Sequence, residues 1–96
     1  MRLEWDPAKD RANRRKHGLA FEEAGRLFTS GVDYLEIFDE CHSHEEYRFI
    51  AIGRIQRGVI VVSYSEPEHH VLRIFSVRKA TKSERRRFEG HVRGWT

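Results

Sequence analysis

Arg73 and Arg78 lie in a stretch, Arg73–Glu89, in which seven of seventeen residues are Arg or Lys. Two guanidinium groups so placed suit bidentate contact with phosphate. They also suit stabilisation of the charge that builds on oxygen as phosphorus becomes five-coordinate. The competing reading is ion pairing with Glu36, Asp39 or Glu46 on a neighbouring strand. Upstream, Asp39-Glu-Cys-His-Ser-His-Glu-Glu-Tyr-Arg48 places histidines in an acidic run. His42 or Glu46 can serve there as general base or acid, because an imidazole titrates near neutrality and a carboxylate does so when its pKa is raised. His44 reads as part of a solvated loop.

Other chemistries fit less well. Cys41, His42 and His44 form one tight group that His69 and His70 would have to complete, whereas zinc sites show paired ligands twice over. No metal and no cofactor are expected. Nothing near Cys41 would lower its pKa enough for a nucleophile. The chain has no glycine-rich phosphate loop, HExxH, GxSxG or paired CxxC motif. The common nucleotide hydrolases, metalloproteases and serine hydrolases are therefore set aside.

Charge points to an anionic partner. The net charge is +3, yet residues 31–47 hold six carboxylates and no Lys or Arg. Residues 48–96 hold eleven basic and four acidic side chains. Such asymmetry suggests nucleic acid. The first helical segment adds Lys9, Arg11, Arg14, Arg15 and Lys16. The 96 residues fit a single domain spanning residues 1–96, with one modest core. No apolar run is long enough to cross a bilayer, and the N-terminus does not read as a signal peptide. With one cysteine, a reducing cytoplasm is the expected compartment.

These residues must be positioned by a small α+β fold. Leu3–Trp5 reads as a first strand. Asp6-Pro7 then starts a helix that runs to His17 and stops at Gly18. Ala20, Phe21, Ala24, Leu27 and Phe28 form the apolar face of a second helix. Strands are expected over 34–38, 47–52, 59–64 and 71–77, with turns at 53–58 and 65–69. Thr81-Lys-Ser-Glu84 is a capping box opening a last helix, with Phe88 and Val92 turned inward and Lys82, Arg85 and Arg86 outward. The order is β-α-α-β-β-β-β-α, a small, mainly antiparallel sheet with two N-terminal helices and one C-terminal helix packed on it. Strict alternation places Arg73 and Arg78 on opposite faces, unless the strand bends near residue 78.

Glu4-Trp-Asp-Pro-x-Lys9, Asn13-x-x-Lys-His-Gly18 and Phe21-Glu-Glu-Ala24 resemble the opening of the BrnT toxin family. Glu46-x-Arg48-Phe-x-x-Ile-Gly53 and Arg73-Ile-x-Ser-x-Arg-Lys-Ala-Thr81-x-x-Glu-Arg85 match its second half. The family's usual Tyr in the last helix is Phe88 here. The resemblance implies a RelE-like fold and a ribonuclease toxin of a bacterial type II toxin–antitoxin system. It implies metal-independent RNA cleavage that inhibits translation and growth. The implied partner is a BrnA-like ribbon-helix-helix antitoxin, in a heterotetramer that reaches operator DNA only through the antitoxin. On that reading Arg73, Arg78 and Arg48 supply cations, and Glu46 or His42 moves protons. Lys79, Lys82, Arg85, Arg86 and Lys16 contact RNA. The alternatives are a non-catalytic nucleic-acid-binding module and a toxin that acts on a protein such as gyrase.

Overall fold

The computed structural model describes residues 1–40 and 46–94. Its elements are β1 (Arg2–Glu4), α1 (Pro7–His17), α2 (Phe21–Thr29), β2 (Tyr34–Phe38), β3 (Arg48–Ile55), β4 (Gly58–Glu68), β5 (Val71–Lys79) and α3 (Lys82–Arg93). The order matches the expected one. The five strands form one sheet in the order β1-β5-β4-β3-β2. Every pairing is antiparallel except β1 with β5.

The helix boundaries follow local chemistry. Asp6 accepts the Ala8 N–H at 2.9 Å, and Pro7 opens α1 with its φ already helical. Gly18, at φ 72°, closes α1 in the left-handed region that lacks a penalty only for glycine. The Glu23 carboxylate accepts the Ala20 N–H at 2.9 Å, and Asp10 accepts that of Phe21 at 2.9 Å. At α3 the Thr81 hydroxyl accepts the Glu84 N–H, and Glu84 accepts the Thr81 N–H.

Two apolar clusters sandwich the sheet. Leu19, Phe21, Ala24 and Leu27 pack on Ala51, Ile60, Val62, Tyr64, Leu72, Ile74 and Val77. On the opposite face Phe88 anchors α3 to Ile52, Val59 and Val61. Helices thus lie on both faces, and α3 leaves part of its face uncovered. Val92 is a correction to the expected inward pair: it is 49% exposed, at the rim of an open cavity that it shares with Val32, Asp33 and Arg54.

Both expected turns are shorter than their composition suggests. β3 continues through Gly53 to Ile55, and the turn is Gln56-Arg57. Gly53 serves close packing: a Cβ there would lie 2.4 Å from Leu27 Cδ1 and 2.9 Å from Tyr34 Cβ. β4 likewise runs through Pro67 to Glu68, with an irregularity between Ser65 and Glu68 that absorbs the proline. The turn is His69-His70, with His70 at φ 64°.

Asn13 ties α1 to the sheet. Beyond Arg73, no described strand pairs with the outer side of β5. The buried Asn13 amide replaces one: its Nδ2 donates to Val77 O at 2.9 Å and to Leu19 O at 2.8 Å, and its Oδ1 accepts the Val77 N–H at 3.2 Å.

Candidate active site

The register of β5 corrects the face expected for the arginines. Ser63 pairs with Ser76 and Tyr64 pairs with Ile74, so Phe75 is an extra residue in β5. Leu72, Ile74 and Val77 all join the α1–α2 core, which shows the change of parity. Arg73 and Arg78 therefore share the other face. The break sits at Phe75, in mid-strand, and not near residue 78.

Cross-strand partners share a face, so the site can be read row by row. Glu4, Arg73, Ser65 and Arg48 make one row across β1, β5, β4 and β3. Ser76, Ser63 and Ile50 make the next, and Arg78, Val61 and Ile52 the third. The part that α3 leaves open is a groove of about 360 Å³, lined by Lys9, Asp39, Arg48, Ile50, Val61, Ser63, Phe75, Ser76 and Arg78. Its floor sets the hydroxyls of Ser63 and Ser76 beside the apolar Ile50 and Val61.

Each β5 arginine is held by carboxylate. Arg73 Nε donates to Glu4 at 2.8 Å and Nη1 to Glu46 Oε2 at 3.2 Å. Glu46 also accepts the Ser65 hydroxyl at 3.1 Å. The Glu4 bond is the main cause that raises the Arg73 pKa. Arg78 makes a two-pronged pair with Glu84, both bonds 2.8 Å. That pair, helped by the Thr81 amide, brings Glu84 down to about 2. The pairing anticipated for Arg73 with Glu46 is therefore present, whereas Glu36 instead accepts a hydrogen bond from Tyr64. Burial and that bond push the Tyr64 phenol well above its ordinary range.

Arg48 lays its guanidinium over the Phe75 ring, 3.9 Å from the centroid, and Lys9 Nζ lies 5.5 Å from the same centroid. Arg73, Arg78, Arg48 and Glu46 are thus gathered on one face. His42 lies outside the described residues, as do Cys41 and His44. Among the described residues no three His, Cys, Asp or Glu side chains could hold a metal ion together.

The other basic residues surround the groove unevenly. Lys82, Arg85 and Arg86 are exposed on the first turns of α3, next to Arg78. Lys16 is exposed on α1, seven residues after Lys9 and so on the same stripe, about 10 Å further along the axis. Lys79 is exposed but pairs with Ile60, on the α1–α2 face. Glu4, Ser63, Ser65, Phe75, Ser76 and Glu84 were not expected at the site, and Lys9 was expected only as one of the basic residues of the first helix. Ser63 and Ser65, alternating in a Val-rich strand, carried a signal; Phe75 carried none, because bulges leave no period in the sequence.

The comparisons with known proteins give the family and the fold. The family described as "Ribonuclease toxin, BrnT, of type II toxin-antitoxin system" matches residues 5–84. The 1.1 Å crystal structure of the Brucella abortus ribonuclease toxin BrnT superposes with a TM-score of 0.68 at 25% identity, covering 85% of this chain and 99% of that one. A search of curated proteins found no match. No described helix is long and apolar enough to cross a membrane. The chain belongs to the BrnT family of ribonuclease toxins, which work within type II toxin–antitoxin systems and so have an antitoxin as partner.

Proposed function

We propose that the groove beside Arg73 and Arg78 is where this toxin cleaves RNA, without a metal ion. The observation that carries the reading is the extra residue in β5, which brings Arg73 and Arg78 onto the face that α3 leaves partly uncovered: Arg78 and Arg48 line the groove there, and Arg73, paired with Glu46, stands in the same row as Arg48. RNA supplies its own nucleophile. A base takes the proton of the 2′-OH, the 2′-oxygen attacks phosphorus, and the 5′-oxygen leaves with a proton from an acid. The products are a 2′,3′-cyclic phosphate and a 5′-hydroxyl end.

The chain's residues match those needs. Arg73, Arg78 and Arg48 stabilise the non-bridging oxygens. An arginine has five N–H donors, and Glu84 takes two from Arg78 while orienting the planar group. Glu46 stands beside Arg73 as base or acid, with His42 as its counterpart. Lys82, Arg85 and Arg86 on α3 and Lys16 on α1 extend the contact along the RNA backbone, whereas Lys79 stands on the opposite face. Residues 1–96 act as one toxin domain in the cytoplasm, where cleavage stops translation and growth. The partner is a BrnA-like ribbon-helix-helix antitoxin in a heterotetramer, and operator DNA is reached only through it.

The test uses the purified chain with total RNA, with and without EDTA. Cleavage in both arms, ending in cyclic phosphate, supports the reading. Loss of cleavage in EDTA contradicts the metal-free mechanism. Binding without cleavage indicates a non-catalytic module, and intact, unbound RNA indicates a protein target.

A further inference from the structure

Tyr47 is 71% exposed and Phe38 44%, yet their rings meet edge to face with centroids 5.7 Å apart. Phe38 in turn packs on Phe49 at 5.7 Å, and Phe49 on Tyr64 of the core at 5.9 Å. Tyr47 is thus an exposed ring on a fixed support, and apolar surface left open in this way marks a place where something binds. Beside it, where β3 begins and β4 ends, lies a hollow of about 400 Å³ lined by Glu46, Tyr47, Phe49, Ser65, Glu66 and Pro67. The hollow adjoins the arginine row. Glu46 and Ser65 both line it, Glu46 hydrogen-bonds Arg73, and Ser65 stands between Arg73 and Arg48 across the sheet.

Charge decides what kind of group fits. Among the described residues the lining holds two carboxylates and no Lys or Arg, so it repels phosphate. It suits an uncharged planar ring that brings N–H donors. Glu46 is engaged with Arg73 and Ser65. Glu66 makes no hydrogen bond or ion pair among the described residues, so both its oxygens remain as acceptors.

We propose that this hollow binds one RNA base beside the cleaved phosphate, that the base stacks on Tyr47, and that Glu66 selects guanine. Single-stranded RNA is read in this way, by aromatic stacking and hydrogen bonds to the pairing edge. Guanine alone of the four bases carries two adjacent N–H donors on that edge, N1–H and N2–H, and one carboxylate accepts both. Adenine and cytosine set an amino group beside an acceptor, and uracil sets its N–H between two carbonyls. Each of these turns an acceptor towards a carboxylate oxygen. The arginines hold the backbone whatever its sequence, and the hollow adds the choice of base. The inference rests on the groove being the RNA site.

Single-turnover cleavage of unstructured oligoribonucleotides tests it, with a melting curve to confirm the fold of each variant. The substrates are chains of adenosine and uridine that carry one guanosine, one inosine or neither. Guanosine should draw cleavage to its own position, with kcat/KM about tenfold or more above the chain that lacks it. Inosine keeps N1–H but has no 2-amino group, and should lose most of that gain. Glu66→Gln should bring the guanosine preference below about threefold while cleaving the guanosine-free chain as the parent does. Tyr47→Ala should lower kcat/KM on every substrate by about tenfold, because stacking tolerates any base, and Tyr47→Trp should restore it. A parent indifferent to guanosine would overturn the inference. So would a preference that survives Glu66→Gln, or a Tyr47→Ala protein that cleaves as the parent does. Arg78→Ala separates this from the reading of the groove. If it cleaves normally, the groove is not the site and the base subsite falls with it. If it is inactive while Tyr47→Ala and Glu66→Gln both behave as the parent, only the base subsite falls.

Discussion

Arg73 and Arg78 stand on one face of β5, although five residues separate them, because Phe75 is an extra residue between Ile74 and Ser76. Regular alternation would have turned one of them into the α1–α2 core, where an unpaired guanidinium would cost several kcal/mol. The bulge removes that conflict. It also lets a strand this basic lie inside a well-packed sheet.

Glu84 links the cation site to the start of α3. One oxygen accepts the Thr81 N–H at 2.9 Å, and both hold Arg78. With Glu84 lowered from 4.5 to about 2, its contribution is complete above roughly pH 5 and is lost as pH falls through 2. Glu84→Gln keeps an acceptor for the cap but loses the charge. We expect it to be less stable by on the order of 1–3 kcal/mol at pH 7, with the gap closing towards pH 2. Thermal melts of both proteins across that range measure it.

Asn13→Ala leaves the Val77 N–H and C=O and the Leu19 C=O without their partner. Stranded buried polar groups cost about 1–3 kcal/mol each unless water reaches them. A loss of roughly 2–4 kcal/mol is expected in urea unfolding. Asn13→Asp should be at least as harmful, because a carboxylate would face two carbonyl oxygens.

Gly53→Ala tests the close approach of α2 to β3. The added methyl would meet Leu27 Cδ1 at 2.4 Å and the Tyr34 Cβ at 2.9 Å. Overpacking of this kind costs about 1–3 kcal/mol. Urea unfolding should show that loss with an unchanged denaturant slope. A variant as stable as the parent would contradict the close-packing role of Gly53.

Much of the fold was legible. Asp6-Pro7, Gly18 and the Thr81–Glu84 box mark helix ends by local hydrogen bonding, and local chemistry is what a sequence displays. The apolar face of α2 and the strands around Val59–Val62 follow from period alone. What escaped was set by tertiary contact. Gly53 looked like a turn residue, yet Leu27 presses on it. Pro67 looked like a strand breaker, yet an irregular pairing accommodates it. Val92 repeated at helical spacing after Phe88, but it borders an open cavity and stays half exposed. At the site, Arg73 and Arg78 stood out by type. The face they share did not, because one bulged residue reverses parity without changing composition. Glu84 read as a cap, and its second role with Arg78 needed the turn from β5 into α3 to be seen.

The most direct measurement is the single-turnover rate of RNA cleavage by Arg73→Ala and Arg78→Ala, each with a melting curve taken in the same buffer. Removing a charged group that stabilises a phosphoryl transition state costs a factor of about 100 or more. Each variant should therefore lose at least that much while melting as a folded protein. Folded variants that cleave at the parental rate would contradict the assignment of this groove as the catalytic site.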